Sequence, residues 1–285
     1  MSERIVITGA AGQVGLALQR RLAAQGRPYV ATDVAELDLT ADDVPARLEA
    51  LTPIAVINAA AWTDVRKAEE SSNRQLVWEI NCHGPRRLAE ACAAAGLPLV
   101  HISTDYVFDG ESSKPYTEDD EPNPVQAYGA SKLDGEREVQ RVYPEALIAR
   151  TSTVYGDRPD GPRHYVDAIL AQAREHGALS VVRLPVSSPS YTTDIADGLV
   201  NLLDLGARGI VNVVNDGAAS RMELASEAVR LAGFEFEVAE RPEPSDDLDR
   251  PDYSVLDTSR YRELTGKPMR PWAEALREYV EGLSS

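Results

Sequence analysis

Ile5-Val6-Ile7-Thr8-Gly9-Ala10-Ala11-Gly12-Gln13-Val14-Gly15 decides the fold of this chain. Ile5 to Thr8 reads as a buried parallel strand, short, apolar and β-branched. Beyond the glycines, Val14, Leu16, Leu18, Leu22 and Ala23 give an amphipathic helix that ends near Gly26. Strand, glycine turn and helix in that order form a cradle for the phosphates of a dinucleotide. Gly9 permits the tight turn, Gly12 lets the backbone approach a pyrophosphate, and Gly15 lets the helix pack on the sheet. The free N–H groups at the start of the helix, at Gln13 and Val14, then meet the phosphates.

The pattern continues outward. Tyr29-Val30-Ala31-Thr32 is a second strand closed by Asp33, which lies 21 residues beyond Gly12. A carboxylate there accepts hydrogen bonds from the adenosine ribose hydroxyls, and its charge opposes a 2′-phosphate. NADH is therefore favoured over NADPH. Asp38 and Leu39 are read as following a third short strand and flanking the adenine. Ile54 to Ile57 is another strand, ending in Asn58-Ala59-Ala60-Ala61. Two readings fit this run of small residues: close backbone contact with the cofactor at Ala60, Ala61 and the following Trp62, or tight helix–sheet packing. A helix is predicted from about Asn73 to Ala95, then strands at Leu99–Ile102 and Ala146–Ala149. Alternating strands and helices predict an α/β fold with a doubly wound parallel sheet of Rossmann type. Beyond residue 155 the rhythm loosens. Gly156 to Arg163 is turn-rich, Arg241 to Pro251 is acidic and proline-rich, and helices are predicted over Met222–Ala232 and Trp272–Leu283. The expected organisation is a dinucleotide domain over 1–155 carrying the catalytic residues. A smaller substrate-binding lobe over 156–285, partly interleaved with the main sheet, completes it.

Composition narrows the functions. The 285 residues carry 46 acidic and 29 basic side chains, a net charge of −17 that repels phosphate backbones and argues against nucleic acid as a partner. The two cysteines, Cys82 and Cys92, fall ten apart on one predicted helix, without metal-ligand spacing, and read as core residues. His83, His101, His164 and His176 form no ligand pattern, so no metal is expected. No apolar run reaches the ~18 residues of a membrane span, and no leader is visible, so the cytoplasm is the expected location.

The chemistry lies in Tyr128-Gly129-Ala130-Ser131-Lys132, 24 residues after Thr104. Tyr128 and Lys132 are four apart and share one helix face. A free tyrosine, with a pKa of about 10, is a poor acid at neutral pH, and a neighbouring ammonium is expected to lower it. Lys132 can also hydrogen-bond the nicotinamide ribose. Thr104 ends a predicted strand and can donate to a substrate carbonyl. Phenol, ammonium and hydroxyl together suit proton delivery to a ketone while a hydride arrives from NADH or NADPH.

These segments resemble the dTDP-4-dehydrorhamnose reductase family of extended short-chain dehydrogenases/reductases over nearly the whole chain. The shared pieces are I-T-G-A-A-G-Q-V-G (7–15), N-A-A-A-W-T (58–63), K-A-E (67–69) and H-I-S-T-D-Y-V-F-D-G (101–110). P-Y-T-E-D-D-E-P-N-P (115–124), Y-G-A-S-K (128–132), R-T-S (150–152), V-Y-G (154–156), R-P (250–251) and S-V-L-D-T (254–258) continue the match. The resemblance implies reduction of the 4-keto group of a nucleotide-linked 6-deoxysugar, with Thr104, Tyr128 and Lys132 as the catalytic set and Asp105 touching the sugar. It also allows a homodimer. Thr153 stands where the family carries a tryptophan lining the sugar pocket, His164-Tyr165 replace an asparagine–phenylalanine pair, and Arg66 replaces an aspartate. Pro185 to Ser190 replaces a loop of glutamine, glycine, proline and threonine. The substrate half is thus altered, which admits a related ketosugar. Arg183 and Arg250 are candidates for phosphate contact or for surface ion pairs. Two other readings are a sugar-nucleotide epimerase or dehydratase of the same superfamily and a regulatory subunit like that of methionine adenosyltransferase. A 4,6-dehydratase is expected to show Asp-Glu after the threonine, where this chain has Asp105-Tyr106.

Overall fold

The computed structural model describes residues 4–157, 164–242 and 248–283. Parts of the two turn-rich stretches, 158–163 and 243–247, therefore lie outside the described residues. Six parallel strands form the central sheet. They are β1 (Arg4–Thr8), β2 (Tyr29–Ala31), β3 (Pro53–Asn58), β4 (Leu99–Thr104), β5 (Leu147–Thr151) and, from far later in the chain, β10 (Gly209–Asn212). Their spatial order is β10-β5-β4-β3-β1-β2. Val6 pairs in register with both Val30 and Val56. The chain leaves β1 toward β2, then returns to build the other side from β3 onward. The carboxyl ends of β1 and β3 thus flank the point where the winding reverses, where α/β sheets open a binding crevice.

Alternation along the strands divides the core in two. Ile5, Ile7, Ile57 and Val211 pack with Leu18 and Leu22 of α1 (Gln13–Ala24) and Leu199 of α8 (Thr192–Asp204). Val6, Val56 and Ile148 point the other way. They meet Leu48 of α2 (Val44–Ala50), Leu88 of α5 (Gly84–Ala95) and Val139 of α6 (Ala127–Val142). The short helices α3 (Val65–Glu69) and α4 (Arg74–Trp78) lie before α5. The helix expected over 73–95 forms, but residues Glu79–His83 within it take π geometry. Cys82 and Cys92 are both free and buried, as core residues should be.

The third strand expected before Asp38 does not form. Residues 34–36 turn instead. The Asp33 side chain accepts from Val34 N at 2.9 Å, and its carbonyl accepts from Glu36 N and Leu37 N. These local bonds consume the donors a strand needs. Beyond β5, a lobe is built from α7 (Tyr165–His176), α9 (Arg221–Leu231) and α11 (Trp272–Gly282). The pair β6 (Val154–Tyr155) and β9 (Ser190–Tyr191) and the pair β7 (Ser180–Val181) and β12 (Ala239–Glu240) are parallel. The pair β8 (Val186–Ser187) and β11 (Ala219–Ser220) is antiparallel. Tyr155, Leu170, Leu224 and Leu276 form its centre. α10 (Ser259–Thr265) packs beside α8, so the late chain returns to the main sheet at β10, α8 and α10. Among the described residues no helix is long and apolar enough to cross a membrane.

Candidate active site

A cleft of about 920 Å³ runs along the carboxyl ends of the strands, from Asp33 and Asp38 through the glycine turn to Tyr128, Thr153 and Tyr165. Its floor is set by glycines. Gly9 has φ +61°, and a Cβ there would lie 2.6 Å from Ala60 N. A Cβ on Gly15 would lie 2.4 Å from Gly9 O. Both positions exclude side chains, so the turn lies tight against β3 and α1. Gly12 caps α1 with no side-chain hydrogen bond and no acid in the first turn. The amino terminus of α1 therefore faces the cleft with its N–H groups uncovered at Gln13, Val14 and Gly15, the arrangement that receives a phosphate anion. Asp33 lies beside it, its carboxylate accepting from Ala11 N at 3.1 Å. Asp38 accepts from Thr40 N and Oγ1, bonds that hold its carboxyl below the usual carboxylate range. Leu39, Ala60 and Ala61 complete the same wall. These side chains and the glycine cradle fit a dinucleotide.

Thr104 ends β4, and Tyr128 and Lys132 face it from the first turns of α6. Gly129 makes the approach close: a Cβ there would lie 2.0 Å from Tyr106 O. The Thr104 and Tyr128 side chains both line the cleft. Lys132 is 1% exposed and donates to Ile102 O at 2.7 Å, while burial lowers its pKa to about 8. Burial raises the Tyr128 phenol above its ordinary value, with the nearby Thr104 hydroxyl opposing only in part. The lowering expected from Lys132 is therefore not what the fold produces, because loss of solvent outweighs neighbouring dipoles. The phenol is held protonated, the form a proton donor requires.

Asp105 is buried, accepting from Thr104 Oγ1 at 3.1 Å, Ser152 Oγ at 2.7 Å and Ser254 Oγ at 2.5 Å. Desolvation pushes its carboxyl up to about 6 against these bonds. Thr153 lines the cleft with φ +37°, an uncommon conformation for a β-branched residue, and shares a 2.7 Å hydrogen bond with Ser187 Oγ. His164 and Tyr165 line the same end.

Trp62 and Arg250 do not line the cleft. The Trp62 indole N–H donates back to Asp64 O, and its ring packs beside Ala68, Val77 and Ala127. Arg250 instead places its charge near Tyr106. Arg183 is an exposed partner of Glu240 at 3.9 Å. Two contributors escaped the sequence reading. Asn81, in the π segment, accepts from Trp62 N at 2.8 Å and donates to Ser131 Oγ at 3.0 Å, tying the β3 loop to α6. A polar residue on the buried face of a predicted helix was its only signal. Arg221 stacks over Tyr165 at 5.4 Å and places its charge near Tyr106, with no local pattern to mark it.

The family model described as RmlD substrate binding domain matches residues 3–285. A dTDP-4-dehydrorhamnose reductase of Mycolicibacterium smegmatis is 40% identical, over 98% of this chain and 86% of its own. A dTDP-4-keto-6-deoxy-D-glucose reductase of Streptomyces niveus is 36% identical, over 98% and 96%. The crystal structure of dTDP-4-dehydrorhamnose reductase from Bacillus anthracis in complex with NADP superposes with a TM-score of 0.92 at 32% identity, covering 99% of this chain and 100% of that one. With strand order, glycine cradle and full-length similarity in agreement, the chain belongs to the RmlD substrate-binding-domain family of extended short-chain dehydrogenases/reductases.

Proposed function

We propose that this chain is an NAD(P)H-dependent reductase of the 4-keto group of a dTDP-linked 6-deoxysugar. One observation carries the reading: the Thr104, Tyr128 and Lys132 side chains meet in the same cleft as the glycine cradle. The names of the Mycolicibacterium and Streptomyces relatives support the substrate class, and the Bacillus complex supports a nicotinamide cofactor.

The cofactor, when bound, supplies a hydride to the ketone carbon. Tyr128 holds the proton that the carbonyl oxygen takes as charge develops on it. Lys132, fixed on Ile102 O, places a positive charge beside the phenol as it becomes phenolate and contacts the nicotinamide ribose. Thr104 donates a second hydrogen bond to the same oxygen. Asp33 receives the adenosine ribose hydroxyls, with Asp38, Leu39, Ala60 and Ala61 around it. Its charge favours NADH. Asp105 and Thr153 face the sugar. Arg221 and Arg250, gathered around Tyr106 in a strongly acidic protein, supply positive charge for the substrate diphosphate. Residues beyond 155 form the substrate lobe.

The test is oxidation of NADH and NADPH with dTDP-4-dehydrorhamnose and, in parallel, with its 4-keto-6-deoxyglucose precursor. Turnover of either, lowered at least ~100-fold in Tyr128→Phe with cofactor affinity unchanged, supports the reading. Wild-type rates in Tyr128→Phe remove Tyr128 from the mechanism.

A further inference from the structure

Thr104 carries one hydroxyl proton, and two groups compete for it. Thr104 Oγ1 donates to Asp105 Oδ1 at 3.1 Å. In the proposed ketone reduction, on which this inference rests, that proton must turn to the substrate carbonyl. A buried carboxylate resists the loss of a donor, and Asp105 is 2% exposed. Two serines compensate. Ser152 Oγ donates to Asp105 Oδ2 at 2.7 Å, and Ser254 Oγ donates to the same oxygen at 2.5 Å, both shorter than the Thr104 bond. Ser188 N donates to Ser152 Oγ at 3.4 Å, which leaves the Ser152 proton for Asp105. Ser254 comes from 149 positions away, fully buried, with its own N–H fixed on Val186 O at 2.8 Å.

We infer that Ser152 and Ser254 are positioning residues: by saturating Asp105 Oδ2 they leave Thr104 the most weakly held of the three donors and free its proton for the ketone oxygen. Without Ser254, Asp105 grips the Thr104 hydroxyl harder, and the developing alkoxide loses the donor that stands beside Tyr128. The serines make and break no bond to carbon and surrender no proton. The titratable groups whose charge reaches Asp105 are the Tyr106 and Tyr128 phenols, both kept neutral by burial. Burial apart, the carboxylate therefore answers to its three hydroxyl donors.

Steady-state kinetics of the full-length wild type, Ser254→Ala, Thr104→Val and the double variant, with NADH and dTDP-4-dehydrorhamnose, test this. Ser254→Ala should lower kcat roughly tenfold, the scale of one hydrogen bond to a charged group, with KM changed less than about twofold. In the Thr104→Val background it should have no further effect, because coupled residues are not additive. An equal loss in both backgrounds overturns the inference and leaves Ser254 as support for the lobe. Ser152→Ala undergoes the same comparison if Ser254→Ala does not fold. A wild type that turns over no ketosugar rejects the ketoreductase reading by itself. The serine clamp is then decided by carbon-13 carboxyl NMR of Asp105, assigned with Asp105→Asn. Its titration midpoint should rise in Ser254→Ala, and an unmoved midpoint overturns the clamp.

Discussion

Lys132 Nζ donates to the main-chain carbonyl of Ile102 at 2.7 Å, so its ammonium is anchored to the strand that ends in Thr104. Helix α6 and strand β4 are thereby locked in a fixed relation at the point where phenol and hydroxyl meet. The anchor also explains why a lysine survives in a buried position: its charge has a carbonyl dipole to rest on.

That burial predicts a pH profile. Lys132 has its pKa lowered to about 8, so its ammonium is lost as pH rises through that value. The phenolate formed at Tyr128 is then uncompensated, and kcat should fall on the alkaline side. Stability responds in the opposite direction for the lysine alone. From about 8 to 10.5 the unfolded chain holds the extra proton, so its share of unfolding free energy grows with pH. Asp105, raised from 3.8 to about 6, acts oppositely at low pH. The folded chain holds the extra proton there, and stability falls as pH rises across that window. Measured kcat that stays flat through the alkaline limb removes Lys132 from proton transfer.

Asp33→Ala should weaken NADH by roughly tenfold, the loss of a charge-assisted hydrogen bond, and weaken NADPH less. The Asp33 carboxylate accepts from Ala11 N in the glycine turn and from Val34 N in its own turn, which fixes it beside the glycine cradle. Fluorescence titration with each cofactor checks this. An equal change for both cofactors would undo the ribose assignment.

Arg150→Met should destabilise the fold by about 3–5 kcal/mol, the range for breaking a buried ion pair from one side. Arg150 and Glu136 are almost fully buried and joined by two hydrogen bonds of 3.0 and 2.7 Å, with the guanidinium over Phe108 at 5.1 Å. Adding Glu136→Gln should recover part of the loss by removing the stranded charge. Denaturant unfolding of both variants decides it, and a double variant no better than the single one contradicts the pairing.

Thr153→Trp should lower KM for dTDP-4-dehydrorhamnose several-fold if an apolar ring at this place holds the sugar. The backbone at 153 already carries φ +37° with a non-glycine residue, so the exchange adds no new backbone strain. The Ser187 hydroxyl loses its partner, which a parallel Thr153→Val variant controls for. Identical KM values in wild type and Thr153→Trp would show that this position does not set specificity.

Local chemistry alone determined a good part of this protein. Three glycines three apart, a strand before them and a helix after them require no distant residue to be read. The same holds for Tyr128 and Lys132 on one helix face and for Thr104 at a strand end. Each rests on backbone geometry within a few residues, and a parallel, doubly wound sheet follows from repeating such units. Tertiary structure decided what depends on solvent and on distant chain. Burial, not Lys132, sets the direction of the Tyr128 phenol. The two serine donors on Asp105 come from separate parts of the chain, and Arg221 comes near Tyr106 from the lobe. Trp62 turned into its own loop, its backbone N–H held by the distant Asn81 while its indole N–H bonds Asp64 O two residues on. Desolvation and long-range hydrogen bonds exist only once the segments have packed, so residue spacing along the chain carries no record of them.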